Sequence, residues 1–326
     1  MTLKEEVLNI LEENKGKNVS GADLSEKLFV SRSAIWKVIK SLRSDGYEIS
    51  AATNKGYTLS KDSNILSKSG IIAYLDEKTK NSTIIDVRQN VTSTNTVLKE
   101  IAVNGGKQGY VLIAQEQTAG KGRLGRTFYS PNSTGIYMSV LLRPKMTIED
   151  SLLITTSAAV AVSRAVEKLS EKKAQIKWVN DVFVDGRKIC GILTESSLDF
   201  ESGCLEYAVV GIGVNISKPD GDFPDEIKGI AGGFLDNVTG NVRCKLIAEI
   251  INELANQMEN LSSRYYLNEY KRRSFLLGKN IIVIKPNKKR KAKAIDIDSR
   301  AKLVVEYEDK SVEHLSSGEV SIRLEK

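Results

Sequence analysis

The apolar period changes twice along the 326 residues, which excludes one uniform architecture and divides the chain into three differently built stretches. Up to Gly46 the spacing is helical. Leu3, Val7, Ile10 and Leu11 line one face of a first helix; Ser20 opens a second that runs through Leu28; Ser31 opens a third that ends at Asp45-Gly46, with Ile35, Val38, Ile39 and Leu42 as its buried stripe. YEIS-AATNKG-YTLS then reads as two strands joined by a Gly-containing turn. The polar stretch KDSNILSKSG, residues 61–70, is the expected linker. Beyond it strands and helices alternate: strands at 84–87, 110–115, 135–142, 174–178, 181–184, 187–195 and 206–214, helices at 92–103, 148–169 and 243–270. That is a mixed α+β domain with several sequence-adjacent, antiparallel strands. From Gly278 onward only short strands remain, which reads as a small β-barrel of about 50 residues. The expected domains are residues 1–62, 63–276 and 277–326.

Three helices with a short turn between the second and third, followed by a hairpin, is the order of a winged helix-turn-helix. The charges agree. The third helix carries Arg32, Lys37, Lys40 and Arg43 and no acid, the first carries Glu5, Glu6, Glu12 and Glu13, and Lys55 sits in the hairpin turn. A basic third helix and a wing with a cation are what major-groove insertion and phosphate contact require. Ser31, Arg32, Ser33, Trp36, Lys37, Lys40 and Lys55 are therefore the candidate DNA contacts. The plainer alternative is a small helical domain with one solvated basic face, in which Trp36 supports packing. A net charge of +7 and a pI near 9.0 fit a polyanionic partner without demanding one.

Several chemistries are excluded. Cys190, Cys204 and Cys244 are odd in number and far apart, giving no disulfide framework and no C-x-x-C spacing, so a reducing cytoplasm is the expected setting. His314 is the single histidine, which removes most His-based triads, His-rich metal sites and kinase H-R-D loops. No metal site built from protein side chains is expected. MTLKEEVLNILEEN carries acids and a helical period, unlike a signal peptide, and no stretch approaches about eighteen consecutive apolar residues, so no membrane partner is expected.

Between two of the strands lies AGKGRLGR, residues 119–126. Gly120, Gly122 and Gly125 satisfy G-x-G-x-x-G, and Arg126-Thr127 stand where a P-loop has Lys-[ST]. Both motifs need a helix to open directly after the glycines and hold phosphate at its N-terminus. Here RTFYSPNSTGIYMSVLL leads past Pro131 into another strand. A kinase-type loop fails too, for want of V-A-I-K and H-R-D. What remains is a loop with Lys121, Arg123 and Arg126, whose glycines let the backbone approach a ligand. Three mutually repelling cations are expected to stay mobile until an anion joins them. A basic, solvated surface loop is the bland alternative.

TSTN, Thr92–Asn95, stands at a strand-to-helix junction with groups that can cap the helix or bind a small polar ligand. KWVND, Lys177–Asp181, puts a cation, polar groups and an acid around an aromatic between two strands, as a plain strand end and turn would also do. In VDGRK, Asp185-Gly186 makes the turn and leaves Lys188 just inside the returning strand. Cations without a catalytic histidine, a Ser-His pair or a base-activated thiol are poorly suited to covalent catalysis. They are well suited to joining two anions, such as a carboxylate and the α-phosphate of ATP. The acyl-adenylate so formed must be shielded from water until an amine attacks it. KPNKKRKAK, Lys285–Lys293, has six basic residues and no acid; it reads as a solvated hairpin, with docking of an acidic carrier domain as the sharper alternative.

Jointly and in this order, STN, GKGRLGR, KWVND, GRKICGILTE and GIGVN resemble the motifs of bifunctional biotin protein ligases that are also biotin operon repressors, over essentially the whole chain. Two positions depart from the family patterns G-R-G-R-x-G-R and K-W-P-N-D. Lys121 replaces arginine, keeping the charge but not the bidentate fork, and Val179 replaces proline, removing a backbone constraint. The resemblance implies a central class II synthetase-like domain and a C-terminal SH3-like barrel. It implies that biotin and ATP, with magnesium, give biotinyl-5′-adenylate, that biotin passes to one lysine of biotin carboxyl carrier protein, and that the ligand-loaded homodimer represses at operator DNA. By position, Ser93, Thr94, Asn95 and Gln117 would hold the biotin head group. Lys121, Gly122 and Arg123 would order over biotin and adenylate, and Lys188 would meet the carboxylate and bridging phosphate. Lys177, Asn180 and Asp181 would serve the ATP, magnesium and transfer region. Gly211, Gly213, Asn215 and Arg126 would contact the nucleotide, which Arg323 would reach from the final strand. Arg123, Lys188, Asp181 and Lys177 form the expected catalytic set. A regulator that only senses a ligand, and a ligase for another acid such as lipoate, remain open.

Overall fold

The computed structural model describes residues 2–52, 55–199, 201–285, 288–316 and the backbone of 321–324. The chain packs as two compact units, one of residues 1–80 with 238–249, the other of residues 81–237 with 250–326.

In the first unit, α1 (Leu3–Glu13) begins at a reciprocal cap between Thr2 and Glu5. Ser20 caps α2 (Gly21–Lys27) and Ser31 caps α3 (Arg32–Ser44), as their sequences require. The stripes of the three helices, among them Val7, Leu11, Leu24, Ile35, Ile39 and Leu42, close one core. β1 (Ile49–Ala52) and β2 (Gly56–Leu59) form the antiparallel hairpin, and Tyr57 bridges back to Val19. Glycine is required at 56, where φ is +90° and a Cβ would lie 2.1 Å from the Val19 carbonyl oxygen. Arg43 is tied into this hairpin, its Nε donating to Ile49 O at 2.7 Å. The expected linker is packed rather than free. Leu66 is buried, Asn64 donates to Val238 O and accepts from Arg243, and Ser67 caps α4 (Lys68–Ile72), which is followed by α5 (Glu77–Ser82). Its Asn64 and Ser67 side chains satisfy internal partners, which polarity alone does not distinguish from solvent exposure.

In the second unit, β3 (Ile84–Val91) and β4 (Tyr110–Gln117) are parallel, with α6 (Thr94–Val103) as the crossover. β5 (Gly135–Leu142) pairs antiparallel to β4; α7 (Leu152–Ser170) follows, then β6 (Gln175–Lys177), β7 (Asp181–Val184), β8 (Arg187–Leu198) and β9 (Leu205–Asn215). The sheet order is β3-β4-β5-β9-β8-β7-β6. Register sets Ser139 opposite Gly211, itself opposite Leu193, and Tyr137 opposite Gly213, itself opposite Gly191. Residues two apart share a face. On that face α6 covers one end, packing Leu98 and Ala102 against Leu112, Leu141 and Val209. α7 lies on the other face, where Thr155 Oγ1 is 2.7 Å from Thr194 Oγ1.

α8 (Asp225–Lys228) is a single turn. The helix expected over 243–270 is two helices, α9 (Val242–Glu259) and α10 (Tyr266–Arg273), because a 3-10 turn at Leu261–Ser263 ends with Arg264 in the left-handed region at φ +56°. The tail is a five-stranded antiparallel sheet of β10 (Asn280–Lys285), β11 (Lys288–Ile297), β12 (Leu303–Tyr307), β13 (Val312–Leu315) and β14 (Ser321–Leu324), in the order β13-β12-β11-β10-β14. Among the described residues no pairing joins β13 to β14 to close a barrel. The basic run lies on the β10–β11 hairpin, where Lys285 pairs with Glu313 at 2.5 Å and Arg290 with Asp309 at 2.8 Å while stacking on Tyr307. Among the described residues no helix is long and apolar enough to cross a membrane.

Gly56→Ala should destabilise the first unit by about 2 kcal/mol or more, because φ and a backbone oxygen both oppose the added Cβ. Calorimetry of the full chain reads this. Gly105→Ala, where φ is +84° but nothing lies within 4 Å, supplies the reference for strain without a clash.

Candidate active site and nucleic-acid interface

A cavity of about 620 Å³ opens on the sheet face beyond the N-terminus of α6. Every residue expected in the ligand site lines it except Arg323. Arg323 pairs with Ile282 through its backbone in β14, and its side chain lies outside the described residues.

One end of the cavity is polar and buried. Ser93 occupies the N-cap of α6 but makes no side-chain cap bond, so capping does not account for it. Thr94 reaches Gln117 Oε1 with its backbone nitrogen at 2.8 Å and its hydroxyl at 3.1 Å, and Gln117 Nε2 donates to Ser130 Oγ at 2.9 Å. Ser139 Oγ lies 2.7 Å from both Thr94 Oγ1 and Asn95 Oδ1. The floor beneath them is glycine: a Cβ at Gly211 would lie 2.1 Å from Asn95 Oδ1, and one at Gly213 would lie 2.4 Å from the Phe128 ring.

The other end is cationic. Lys188 Nζ lies 2.6 Å from Asp181 Oδ1, a contact not aligned as a hydrogen bond. Arg123 Nη1 donates to Asn180 Oδ1 at 3.0 Å, and Asn180 Nδ2 donates to Ile192 O at 2.9 Å. Burial lowers the pKa of the Arg123 guanidinium, with the Asp181 carboxylate opposing the shift. Arginine nonetheless stays charged, so its desolvation favours a bound anion. In KWVND the Trp178–Val179 peptide is cis; Trp178 Nε1 donates to Ala301 O at 2.9 Å and Tyr270 Oη to Val179 O at 3.0 Å. These two contacts anchor the segment from which Lys177, Asn180 and Asp181 line the cavity.

The AGKGRLGR loop folds back on itself. Phe128 N donates to Gly120 O at 2.9 Å, Gly122 N donates to Arg126 O at 2.7 Å, and Lys121 bridges Thr127. Lys121 and Arg126 are exposed, whereas Arg123 at the tip is half-buried.

In the first unit, α3 places Ser31, Arg32, Ser33, Trp36, Lys37 and Lys40 on its exposed side, opposite Ile35, Ile39 and Leu42. Trp36 is 54% exposed with Lys40 Nζ 5.5 Å from its ring centre, so it does not support packing. Lys55 is exposed in the hairpin turn.

Sequence models of known families match three parts of the chain: an HTH domain over residues 4–58, the biotin/lipoate A/B protein ligase family over 87–215, and a biotin protein ligase C-terminal domain over 276–323. The bifunctional ligase/repressor BirA of Bacillus subtilis (strain 168) is 36% identical over 230 residues, covering 71% of this chain and 70% of the relative. The chain belongs to the family of bifunctional biotin ligase/repressors. The Escherichia coli (strain K12) member is 31% identical over 61% of this chain and 59% of its own. A biotin protein ligase from Aquifex aeolicus, solved in complex with biotin and ATP, shares the fold with a TM-score of 0.62 at 24% identity, covering 74% of this chain and 99% of that one.

Three features of this ligase/repressor site lie outside the motifs, and a fourth, Glu195, closes GRKICGILTE without a role among the expected site residues. Phe128 seats the loop on Gly213, Ser139 and Glu195 extend the polar end, and the 227–231 segment closes the wall beside Lys188, whose backbone nitrogen donates to Ile230 O at 2.8 Å. Ser139 had a legible signal, a hydroxyl inside the apolar strand GIYMSVLL; Ile230 had none.

Cys190 lines the cavity yet is no nucleophile, because full burial pushes its thiol far above the ordinary range. Cys244 is pushed up to about 11, also by burial. A thiol reagent at pH 8 should therefore label native protein at half-buried Cys204 alone and reach Cys190 and Cys244 only after denaturation, as peptide mapping reads. Native labelling of Cys190 would contradict the packing described.

Proposed function

We propose that the chain condenses biotin with ATP to biotinyl-5′-adenylate, transfers biotin to one lysine of biotin carboxyl carrier protein, and as a ligand-loaded homodimer represses transcription at operator DNA in the cytoplasm. One observation carries the ligase reading: a single cavity joins a neutral hydrogen-bonding end at Thr94, Asn95 and Gln117 to a cationic end at Arg123 and Lys188. Ser93 and these three polar residues hold the head group. In the first step a carboxylate oxygen of biotin bonds to the α-phosphorus of ATP as the bond to pyrophosphate breaks. Lys188 and Arg123, with Lys121 and Gly122 closing over the product, offset repulsion between the two anions and meet the charge that gathers on phosphorus. In the second step the carrier amine bonds to the biotin carbonyl carbon, the carbon–oxygen bond to phosphate breaks, and AMP leaves. Asp181, once Lys188 turns to the substrate, is the carboxylate placed to take the amine proton.

Lys177, Asn180, Arg126, Gly211, Gly213, Asn215 and Arg323 serve the nucleotide. Among the described residues no group of three His, Cys, Asp or Glu side chains can hold a metal, and Asp181 is the single acid lining the cavity. Magnesium would therefore enter on ATP phosphate oxygens, as it does where a protein offers one or two carboxylates. On the repressor side, Ser31, Arg32, Ser33, Trp36, Lys37 and Lys40 enter the groove and Lys55 contacts phosphate from the wing. The reading divides the chain at 1–62, 63–276 and 277–326, with a class II synthetase-like centre and an SH3-like tail; the positions of the three matched family models support it.

Incubation with biotin, ATP and carrier protein should add one biotin per carrier by mass; an unmodified carrier without adenylate would sink the ligase reading, and thermal stabilisation by lipoate alone would change the acid. Lys188→Met should slow adenylate formation about a hundredfold or more.

Arg32→Ala with Lys37→Ala should weaken binding to a duplex selected from random sequence by the wild-type chain, and lower the salt slope by about two. Adenylate synthesis should be unchanged. Equal loss of both activities would refute the division of labour.

A further inference from the structure

Glu195, in GRKICGILTE, is a carboxylate to which the proposed chemistry gives no task. Asn95 Nδ2 donates to its Oε2 at 2.8 Å and Lys99 Nζ to its Oε1 at 2.5 Å. Asn95 and Lys99 are one turn apart on α6, so both reach it from the same helix face. Burial opposes the charge on Glu195, but the bonds from Lys99 and Asn95, with the charge of Lys121, outweigh it and hold the carboxyl below its ordinary value. An ionised carboxylate only accepts, and so does the Leu193 carbonyl, which takes the Asn95 amide at 3.1 Å. The Asn95 amide therefore has one orientation, nitrogen toward β8 and oxygen toward Ser139.

That orientation governs a proton further along. Ser139 is fully buried, and its Oγ stands 2.7 Å from both Asn95 Oδ1 and Thr94 Oγ1, yet it has one proton to give. A buried amide oxygen left without a donor costs more than an unused hydroxyl lone pair, so the proton goes to Asn95. Thr94 keeps its own proton inside the protein, toward Gln117 Oε1 at 3.1 Å. Lone pairs on Thr94, which lines the cavity, are left for a ligand.

We propose that Glu195 is a positioning residue that keeps the Ser139 proton on Asn95 and off Thr94, so that Thr94 meets the substrate as an acceptor and selects an N–H in its head group. The inference rests on reading this cavity as the site of biotin, whose cyclic urea carries two N–H groups. With glutamine at 195, the new amide can accept from Lys99 and donate to a flipped Asn95, which then gives up its bond to the Leu193 carbonyl. Asn95 Nδ2 then faces Ser139, and the Ser139 proton turns to Thr94 and competes with the ligand.

Titration calorimetry on the full chain tests this with biotin and the two carbamate analogues in which one or the other urea N–H is oxygen. The wild-type chain should bind biotin about tenfold or more tighter than one of the analogues, since a site built to accept an N–H rejects the compound lacking it. Glu195→Gln should shrink that ratio about fivefold or more, Ser139→Ala should keep it, and the double variant should recover it because the misdirected proton is gone. Asn95→Ala, which removes the competing acceptor, should shrink the ratio like Glu195→Gln and decides the matter if the latter does not fold. Equal losses for all ligands in Glu195→Gln, or a double variant worse than both singles, would overturn the proposal. A wild-type chain that does not bind biotin overturns instead the assignment of the cavity.

Discussion

The pairing of β5, β9 and β8 is the constraint on which the site depends. Its backbone bonds hold Ser139, Gly211 and Leu193 in one row and Tyr137, Gly213 and Gly191 in the next. A slip of one residue would turn both rows to the α7 face. Glycine at 211 and 213 is needed for the missing side chain and not for backbone freedom, since both residues lie in extended strand. Asn95 Oδ1 and the Phe128 ring stand where the two Cβ atoms would be. A helix side chain and a loop side chain are thereby seated directly on backbone, and the cavity inherits the rigidity of the sheet.

The two ends of the cavity are held by different physics. At the polar end each group is neutral except the Glu195–Lys99 pair, and position follows from a chain of short bonds in which the donor of one link limits the next. At the cationic end, Arg123 is held by a neutral amide that is itself bonded to β8, and Lys188 by a carboxylate at contact distance. The Asp181 carboxylate also acts on the Arg123 charge, so both cations lie in its field. A cation paired with a carboxylate can exchange it for a more strongly bound phosphate or acid, and such an exchange would free the Asp181 carboxylate at this end of the cavity. Buried Trp178 and Tyr270 fix the segment that carries both partners.

What was legible in the sequence follows from how local each cause is. Caps at Ser20 and Ser31 act within three residues, and the stripe of α3 repeats within its own helix, so the first unit could be read almost to its ends. The same local reading took residues 61–70 for a linker, because Asn64 finds Val238 and Arg243 only after the chain returns. It ran one helix from 243 to 270, because apolar periodicity continues across the left-handed residue Arg264. The motif residues of the cavity were legible as clusters. Phe128 and Ile230 were not, and Ser139 and Glu195 were legible only singly, as a hydroxyl in an apolar strand and the last residue of GRKICGILTE, since strand register and chain return place all four against those clusters.

The loop shows why a motif needs its context. In a phosphate-binding glycine loop the backbone N–H groups point at the anion and a helix opens behind them. Here Gly122 N already donates within the loop, to Arg126 O, and a strand follows. The three glycines answer three different demands: at Gly120 a Cβ would lie 2.4 Å from Phe128 O, Gly125 has φ +72°, and Gly122 lies close against Arg126. The Gly122 N–H is thereby occupied, and the charged groups that the loop carries are the side chains of Lys121, Arg123 and Arg126. That makes the lysine at 121 consequential, since an ammonium offers a point charge where a guanidinium would offer a planar fork. It also makes Phe128 the element that fixes where the three charges lie, because its ring on Gly213 ties the loop to the sheet.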